Sequence, residues 1–369
     1  MSRKYNIVVL PGDGVGREVI PEAVKALETA QDVVPGITLN FVEFECGFEY
    51  YQKHKEPWSK DAYEACKNSD AILYGAVGLP GVQGLEHIVY VHRILRQTLD
   101  LYANVRPVKL RYNVNCPLVG KQPGDIDFVI VRENTEDLYA PIRGVLTRGE
   151  VDEVAIDVKI VTRKGAKRVI NYAFELCTKR GRGAPLDGKQ RVTCVDKSTV
   201  LKSCELFRKI FNEVADTYPE IEKDYALIDA WTQWAIRRPE YYNVVVTTNT
   251  FGDIITDMVS PLQGGLGLTP SAEVGEKYGM FRPIHGSAPK YYGKKVVNPM
   301  AAILSSKMLM EWLADKHNDN SAKEVADLLE KAVDSTLTDG KSLTYDLGGS
   351  SKTDEVGDEV ARQILHLAN

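Results

Sequence analysis

YNIVVLPGDGVGREVIPEAVKALETA, residues 5–30, decides the fold class. Residues 5–10 form a nearly continuous apolar run, the pattern of a strand buried on both faces of a parallel sheet. PGDGVG then turns the chain, and residues 18–30 place apolar side chains at helical spacing. Strand, turn and helix in that order open an α/β protein. The buried-strand pattern returns as AILYGAV (71–77), DFVIV (127–131), RVTCVD (191–196) and NVVVTT (243–248), with helical segments between several of them. Residues 163–176, 321–335 and 353–367 also carry helical spacing. By contrast, EVDEVAIDVKIVT (150–162) alternates charged and apolar residues, which predicts a half-exposed strand or arm suited to oligomerisation. KRGRGAPLDGK (179–189) is basic and glycine-rich, and predicts a loop.

A chain of 369 residues exceeds the usual ceiling of one compact core, so two domains are expected. Its 44% hydrophobic and 26% charged content is that of a globular protein, and a net charge of -5 gives no general attraction to nucleic acid. KRGRG is the one segment that could suggest RNA binding, and no aromatic residues are interleaved there for base stacking. Cys46, Cys66, Cys116, Cys177, Cys194 and Cys204 form no C-x-x-C pair and read as reduced core thiols of a cytoplasmic protein. No stretch approaches the roughly 20 apolar residues of a membrane helix. The apolar run near the N-terminus is too short for a signal peptide.

Two patterns carry candidate chemistry. Gly12, Gly14 and Gly16 are spaced G-x-G-x-G rather than G-x-G-x-x-G, with no acidic ribose partner suitably placed, so the dinucleotide fingerprint is rejected and the fold is not Rossmann. The glycines are expected to supply positive φ in a tight turn. NTFGDIITD (249–257) follows an apolar strand, and if Gly252 starts a helix, Asp253 and Asp257 project from one face. Two hard carboxylates suit Mg²⁺ or Mn²⁺, with water and substrate oxygens completing an octahedron. Alone, D-x-x-x-D more often marks a solvated helix face.

Context comes from LPGDGVGREV (10–19), LRQTLDLYANVRP (95–107), VRENTEDLY (131–139), VDKSTVL (195–201), IDAWTQWAIRRP (228–239), NTFGDIITD with SPLQGGLG, and HGSAPKYYGKKVVNP (285–299). Through these blocks the chain resembles, over essentially its whole length, the isocitrate/3-isopropylmalate dehydrogenase family of β-decarboxylating dehydrogenases. The resemblance implies a two-domain fold with a mixed sheet flanked by helices. Residues 1–103 with 265–369 are the expected large cofactor-binding domain, and 104–264 the smaller one, with a dimerisation arm near 140–162. It implies a homodimer, or a higher oligomer, with active sites shared between subunits. Arg96, Arg106 and Arg132 match the family's carboxylate clamp, and Asp253, Asp257 and Asp229 its metal ligands, Asp229 coming from the neighbouring subunit. Tyr139 and Lys197 match the acid/base pair.

His285, Gly286, Ser287, Ala288, Lys290, Tyr291, Val297 and Asn298 resemble the family's adenosine-binding loop, joined by Tyr345. Lys290 and Tyr291 stand where NADP-using relatives carry Lys-Tyr, and a cation with a phenol can hold a 2′-phosphate, so NADP is favoured. The following DLGG (346–349) lacks the arginine of the strongest NADP enzymes, which leaves NAD as the alternative. Thr199 replaces the family's usual asparagine at the nicotinamide end. In VYVHRILR (89–96), Arg93 lies one turn before Arg96, where homoisocitrate enzymes also carry an arginine. Its charge favours a third carboxylate over an alkyl group, hence isocitrate or homoisocitrate. The rivals are 3-isopropylmalate, tartrate and D-malate, or a regulatory subunit of the same fold. Such subunits tend to lose acid/base or metal residues, and Tyr139, Lys197, Asp229, Asp253 and Asp257 are all present.

Overall fold

The computed structural model of the protein describes residues 3–368, apart from the side chains of Glu86 and His87. In chain order it contains β1 (Arg3–Gly12), α1 (Gly16–Val33), β2 (Ile37–Glu43), α2 (Phe48–His54), α3 (Ala62–Asn68), β3 (Ala71–Ala76), α4 (Glu86–Val89), α5 (Val91–Thr98), β4 (Ala103–Lys109), β5 (Asp127–Glu133), β6 (Arg143–Arg148), β7 (Val151–Asp157), α6 (Arg163–Arg180), β8 (Arg191–Asp196), α7 (Lys202–Ala215), β9 (Glu222–Leu227), α8 (Ile228–Arg237), β10 (Val244–Thr247), α9 (Asn249–Val259), β11 (Pro270–Val274), β12 (Gly279–Pro283), α10 (Met300–His317), α11 (Asn320–Asp339) and α12 (Thr353–Ala368). The chain forms two compact units, one of residues up to 101, 109–123 and from 260 onward, the other of 102–108 and 124–259.

The strands of the first unit run in the order β2-β1-β3-β12-β11. β1 is parallel to β2 and β3, and β12 is parallel to β3 but antiparallel to β11, so the sheet is mixed. The apolar run of β1 is buried on both faces, as the absence of alternation predicts. The turn after it is built for close approach. Gly12 and Gly14 have φ of +77° and +56°, and a β-carbon would lie 2.0 Å from the Ala76 carbonyl oxygen in the first and 2.2 Å from that of Ser287 in the second. Between them, buried Asp13 accepts the backbone N–H groups of Phe48 at 2.7 Å, Gly78 at 2.9 Å and Glu49 at 3.1 Å. The turn is thus a backbone clasp.

A charged network ties α10 and α11 to the chain at the end of β4 and just beyond it. Glu330 receives Lys109 at 2.7 Å, Arg111 at 3.1 Å and Lys307 at 3.2 Å. Burial would raise this carboxyl, but Lys307, Arg111 and Lys109 outweigh it and hold the group well below its ordinary value of 4.5. A depressed folded-state value stabilises the fold above about pH 4.5, and that contribution is lost as pH falls through the folded value. Glu330→Gln is expected to cost about 2 kcal/mol at pH 7 by stranding partly buried cations. In thermal melts the gap to wild type should narrow below about pH 4; a gap independent of pH contradicts the assignment.

In the second unit the strand order is β4-β5-β10-β8-β9, with β10 parallel to β5 and β8, and β8 parallel to β9. The arginines of the KRGRG segment are used internally: Arg180 and Arg182 each approach a carboxylate oxygen of Asp127 at 2.8 Å. β6 and β7 form a separate antiparallel hairpin. Its alternation predicts one buried face, but every residue of both strands is exposed, including Val145, Leu146, Val151, Val154 and Ile156. Within a single chain neither face of the hairpin is covered.

Candidate active site

The second unit gathers its chemistry around α9. The helix begins at Asn249 rather than at Gly252, so Gly252 lies in its first turn. A β-carbon on Gly252 would come within 2.6 Å of the Arg132 side chain. Glycine there lets Arg132, from β5, pass under the helix. Gly252→Ala is therefore expected to displace Arg132 and lower kcat/KM about 100-fold, with a far-ultraviolet spectrum like wild type. Unchanged kinetics would remove this role for the glycine.

One helical turn apart, Asp253 and Asp257 both face Arg106, and Asp253 also faces Arg132. Arg106 Nη2 lies 3.7 Å from Asp253 Oδ1 and its Nη1 3.8 Å from Asp257 Oδ1, while Arg132 Nη1 bonds Asp253 Oδ1 directly. Both guanidinium groups are fixed from behind. Arg132 Nε and Nη2 donate to Asn249 Oδ1 at 2.9 and 2.6 Å, and Arg106 Nε donates to Asn104 Oδ1 at 3.1 Å. Arg106 also bonds the Thr256 hydroxyl. Tyr139 Oη donates to Asp253 Oδ2 at 2.8 Å, with its ring 5.5 Å from the Arg132 guanidinium carbon. The arginine side chains are only 5% and 2% exposed, whereas those of Asp253 and Asp257 are 41% and 66% exposed. Two buried cations thus sit behind two accessible carboxylates. A divalent cation and a dicarboxylate could be added together without changing the net charge of this cluster.

The accessible oxygens of Asp253 and Asp257 fit a hard divalent ion such as Mg²⁺, which keeps several waters and demands few protein ligands. Among the described residues, no group of three or more His, Cys, Asp or Glu side chains is arranged to hold a metal. Asp229 is therefore not brought to the α9 pair within this chain. It stands in the first turn of α8, 2.6 Å from Lys197 Nζ, and that ammonium holds the Asp229 carboxyl below its usual value. Lys197 follows directly on β8. Buried Asp196 before it is gripped by Arg208 at 2.7 and 2.9 Å and accepts the Ser198 N–H at 2.8 Å, which fixes the start of the lysine's loop. Thr199 is exposed in that loop. Nearby elements leave large apolar side chains uncovered: Trp234 and Ile236 on α8, and Ile254 on α9.

In the first unit, Arg93 and Arg96 share α5. The Arg93 guanidinium lies 4.8 Å from the Tyr90 ring centroid. Arg96 makes a two-pronged contact with buried Glu273, Nε to Oε2 at 2.5 Å and Nη2 to Oε1 at 2.6 Å. Neither Tyr90 nor Glu273 is signalled by the sequence pattern. In the 285–298 segment, Ser287 is buried and its hydroxyl bonds the Gly78 carbonyl, while the Ser287 carbonyl accepts Val15 N–H at 2.9 Å. Gly286 is open where a β-carbon would point, and Ala288 has φ +38°. Burial lowers His285, favouring its neutral form. Tyr291 stacks on Tyr345 with ring centroids 5.8 Å apart, and burial, together with their hydrogen bond, raises the Tyr345 phenol to about 12, so it stays a neutral donor. Lys290, which precedes Tyr291 in the chain, is exposed, and Lys294 Nζ lies 5.9 Å from the Tyr291 ring centroid. The Val297 carbonyl accepts from Thr353 Oγ1 at 2.7 Å, and Asn298 Oδ1 accepts the Met300 N–H at 3.0 Å, pinning the end of the segment.

The isocitrate/isopropylmalate dehydrogenase family profile matches residues 6–360. Over 362 residues the chain is 39% identical to 3-isopropylmalate/3-methylmalate dehydrogenase of Methanocaldococcus jannaschii, covering 98% of this chain and 99% of that one. It is 38% identical to homoisocitrate dehydrogenase of the same organism, over 97% of both chains. Its fold is similar to the crystal structure of isocitrate dehydrogenase from Methylococcus capsulatus, with a TM-score of 0.87 and 32% identity over 98% of this chain and 99% of that one.

Proposed function

The chain belongs to the isocitrate/isopropylmalate dehydrogenase family, and from that premise we propose that it oxidises and decarboxylates a malate-type 2-hydroxy acid, isocitrate or homoisocitrate, using Mg²⁺ or Mn²⁺ and NADP, with NAD as the alternative. The observation that carries this reading is the α9 pair, Asp253 and Asp257, set against Arg106, Arg132 and the Tyr139 hydroxyl. Arg96, Arg106 and Arg132 bind the two carboxylates of the malate core, and their fixed forks orient the hydroxyl-bearing carbon. In its unprotonated form Lys197, held beside Asp229, takes the hydroxyl proton and becomes the ammonium of that pair. When bound, a divalent cation would polarise the substrate oxygens and a nicotinamide would accept the hydride. After CO₂ leaves, Tyr139, its hydroxyl already aimed at Asp253, protonates the carbanion. Lys290, Tyr291 and Tyr345 form the 2′-phosphate pocket, within the loop of His285, Gly286, Ser287, Ala288, Val297 and Asn298.

Substrate choice rests on Arg93, whose charge suits a third carboxylate; 3-isopropylmalate, D-malate and tartrate share the malate core and are the alternatives. The working form is a homodimer. The uncovered hairpin and the exposed Trp234, Ile236 and Ile254 supply apolar surface for a second copy. Asp229 then completes the ligand set of the partner's α9 pair, accompanied by Lys197. The six cysteines are free thiols, in keeping with a reducing cytoplasm. The test is Mg²⁺-dependent reduction of NAD⁺ and NADP⁺ with isocitrate, homoisocitrate, 3-isopropylmalate, tartrate and D-malate. The highest kcat/KM is expected with a tricarboxylate and NADP⁺, whereas inactivity on all five sinks the proposal and favours a regulatory subunit.

A further inference from the structure

Glu273 is a buried carboxylate with no part in the chemistry proposed above, yet it holds one of the substrate arginines. β11 and β12 pair antiparallel with Glu273 opposite Met280 and Ser271 opposite Arg282, so Glu273 and Arg282 are diagonal neighbours on one face of the hairpin. Arg282 Nη1 lies 3.8 Å from Glu273 Oε1, the same oxygen that receives Arg96 Nη2 at 2.6 Å. Arg282 also donates through Nη2 to the His285 carbonyl at 3.4 Å, at the first residue of the proposed nucleotide loop. The side chains of Arg96, Arg282 and Glu273 are 13%, 10% and 0% exposed. Ion pairs so enclosed are weakly screened, and a two-pronged contact fixes the plane of the guanidinium as well as its position. Also against this network are Tyr74, whose ring centroid is 5.5 Å from the Arg282 guanidinium carbon, and His92, whose Nδ1 is 3.2 Å from Tyr74 Oη.

We propose that Glu273 is a positioning residue which, through Arg282, ties the Arg96 fork to the start of the nucleotide loop and so makes hydroxy-acid binding and nucleotide binding mutually dependent. The inference rests on the reading of Arg96 as a substrate clamp and of residues 285–298 as the nucleotide loop. The route is continuous: loop carbonyl, Arg282, Glu273, Arg96. The edge of Arg96 formed by Nε and Nη2 is committed to Glu273, so Glu273 sets the plane in which this guanidinium can meet a carboxylate. A nucleotide that fixes the His285 segment thereby fixes that plane, and linkage requires the reverse effect to be equal.

The test is calorimetric binding to the intact protein with Mg²⁺. NADPH and NADH, which cannot oxidise a hydroxy-acid, are the nucleotide probes, and D-malate together with the hydroxy-acid that turns over fastest are the substrate probes. In wild type, nucleotide should tighten hydroxy-acid binding about tenfold, and hydroxy-acid should tighten nucleotide binding by the same factor. In Glu273→Gln the factor should fall below about twofold, with the Kd for nucleotide alone within about threefold of wild type. A purely structural role would lower the melting temperature without changing that factor. Arg282→Lys retains the buried charge, which keeps the test open if Glu273→Gln does not fold. The substituted ammonium lacks the fork that reaches both Glu273 and the His285 carbonyl, so the coupling should again be mostly lost. Wild-type coupling in the folded variants overturns this inference alone, whereas absence of any hydroxy-acid binding by wild type overturns the functional reading beneath it.

Discussion

Lys197→Ala is expected to lower kcat about 10³-fold, the usual scale for removing a positioned general base, while KM for the hydroxy-acid stays within about threefold. The reason is placement. Lys197 leaves β8 on a loop whose first residue, Asp196, is held by Arg208 and by Ser198 N–H, and its Nζ lies 2.6 Å from Asp229. The arginines proposed to bind the carboxylates are held by other groups, Arg96 by Glu273, Arg106 by Asn104 and Arg132 by Asn249, so binding should survive where proton removal does not. Steady-state kinetics with the preferred substrate check this. A variant that loses affinity instead of turnover would make Lys197 a binding residue.

Arg93→Leu is the second large effect. Desolvating a substrate carboxylate beside a leucine, after losing a charge-assisted contact, should cost about 3 kcal/mol, or roughly 100-fold in kcat/KM for a tricarboxylate. D-malate, which has no third carboxylate, should lose less than about threefold, and 3-isopropylmalate should gain. Tyr90 sharpens the expectation, because its ring lies 4.8 Å from the Arg93 guanidinium and holds that charge in place before substrate arrives. Equal losses on D-malate and isocitrate would assign Arg93 a structural role.

What could be read in the sequence followed from hydrophobic pattern and local spacing. β1, its glycine turn and α1 were legible because an unbroken apolar run, a forced turn and a 3.6-residue period each have one physical reading. The α9 aspartates were legible as a pair because four residues make one turn, although the helix starts three residues before Gly252. β4, ANVRPVK, carried no such signal. Its Asn104 and Arg106 are polar yet buried, and they are satisfied by Asn134, Thr256 and the α9 carboxylates, partners far along the chain. Asn249, Glu273 and Tyr90 were hidden for the same reason, since each acts through contacts that periodicity does not encode. The hairpin of β6 and β7 was legible as a half-exposed strand or arm, but alternation alone does not say what covers its apolar face, and a single chain provides no cover.

The pairing of Lys197 with Asp229 in one chain makes shared sites testable in a specific way. If both residues serve the partner's α9 pair, Lys197→Ala and Asp253→Asn damage different halves of a site. Heterodimers purified from cells co-expressing these two inactive subunits should then show about half of wild-type turnover, because one of their two sites is intact. Heterodimers of Lys197→Ala with Asp229→Asn should remain inactive, because the two changes damage the same half. An inactive Lys197→Ala/Asp253→Asn heterodimer, or an active Lys197→Ala/Asp229→Asn one, would contradict a site built from two chains.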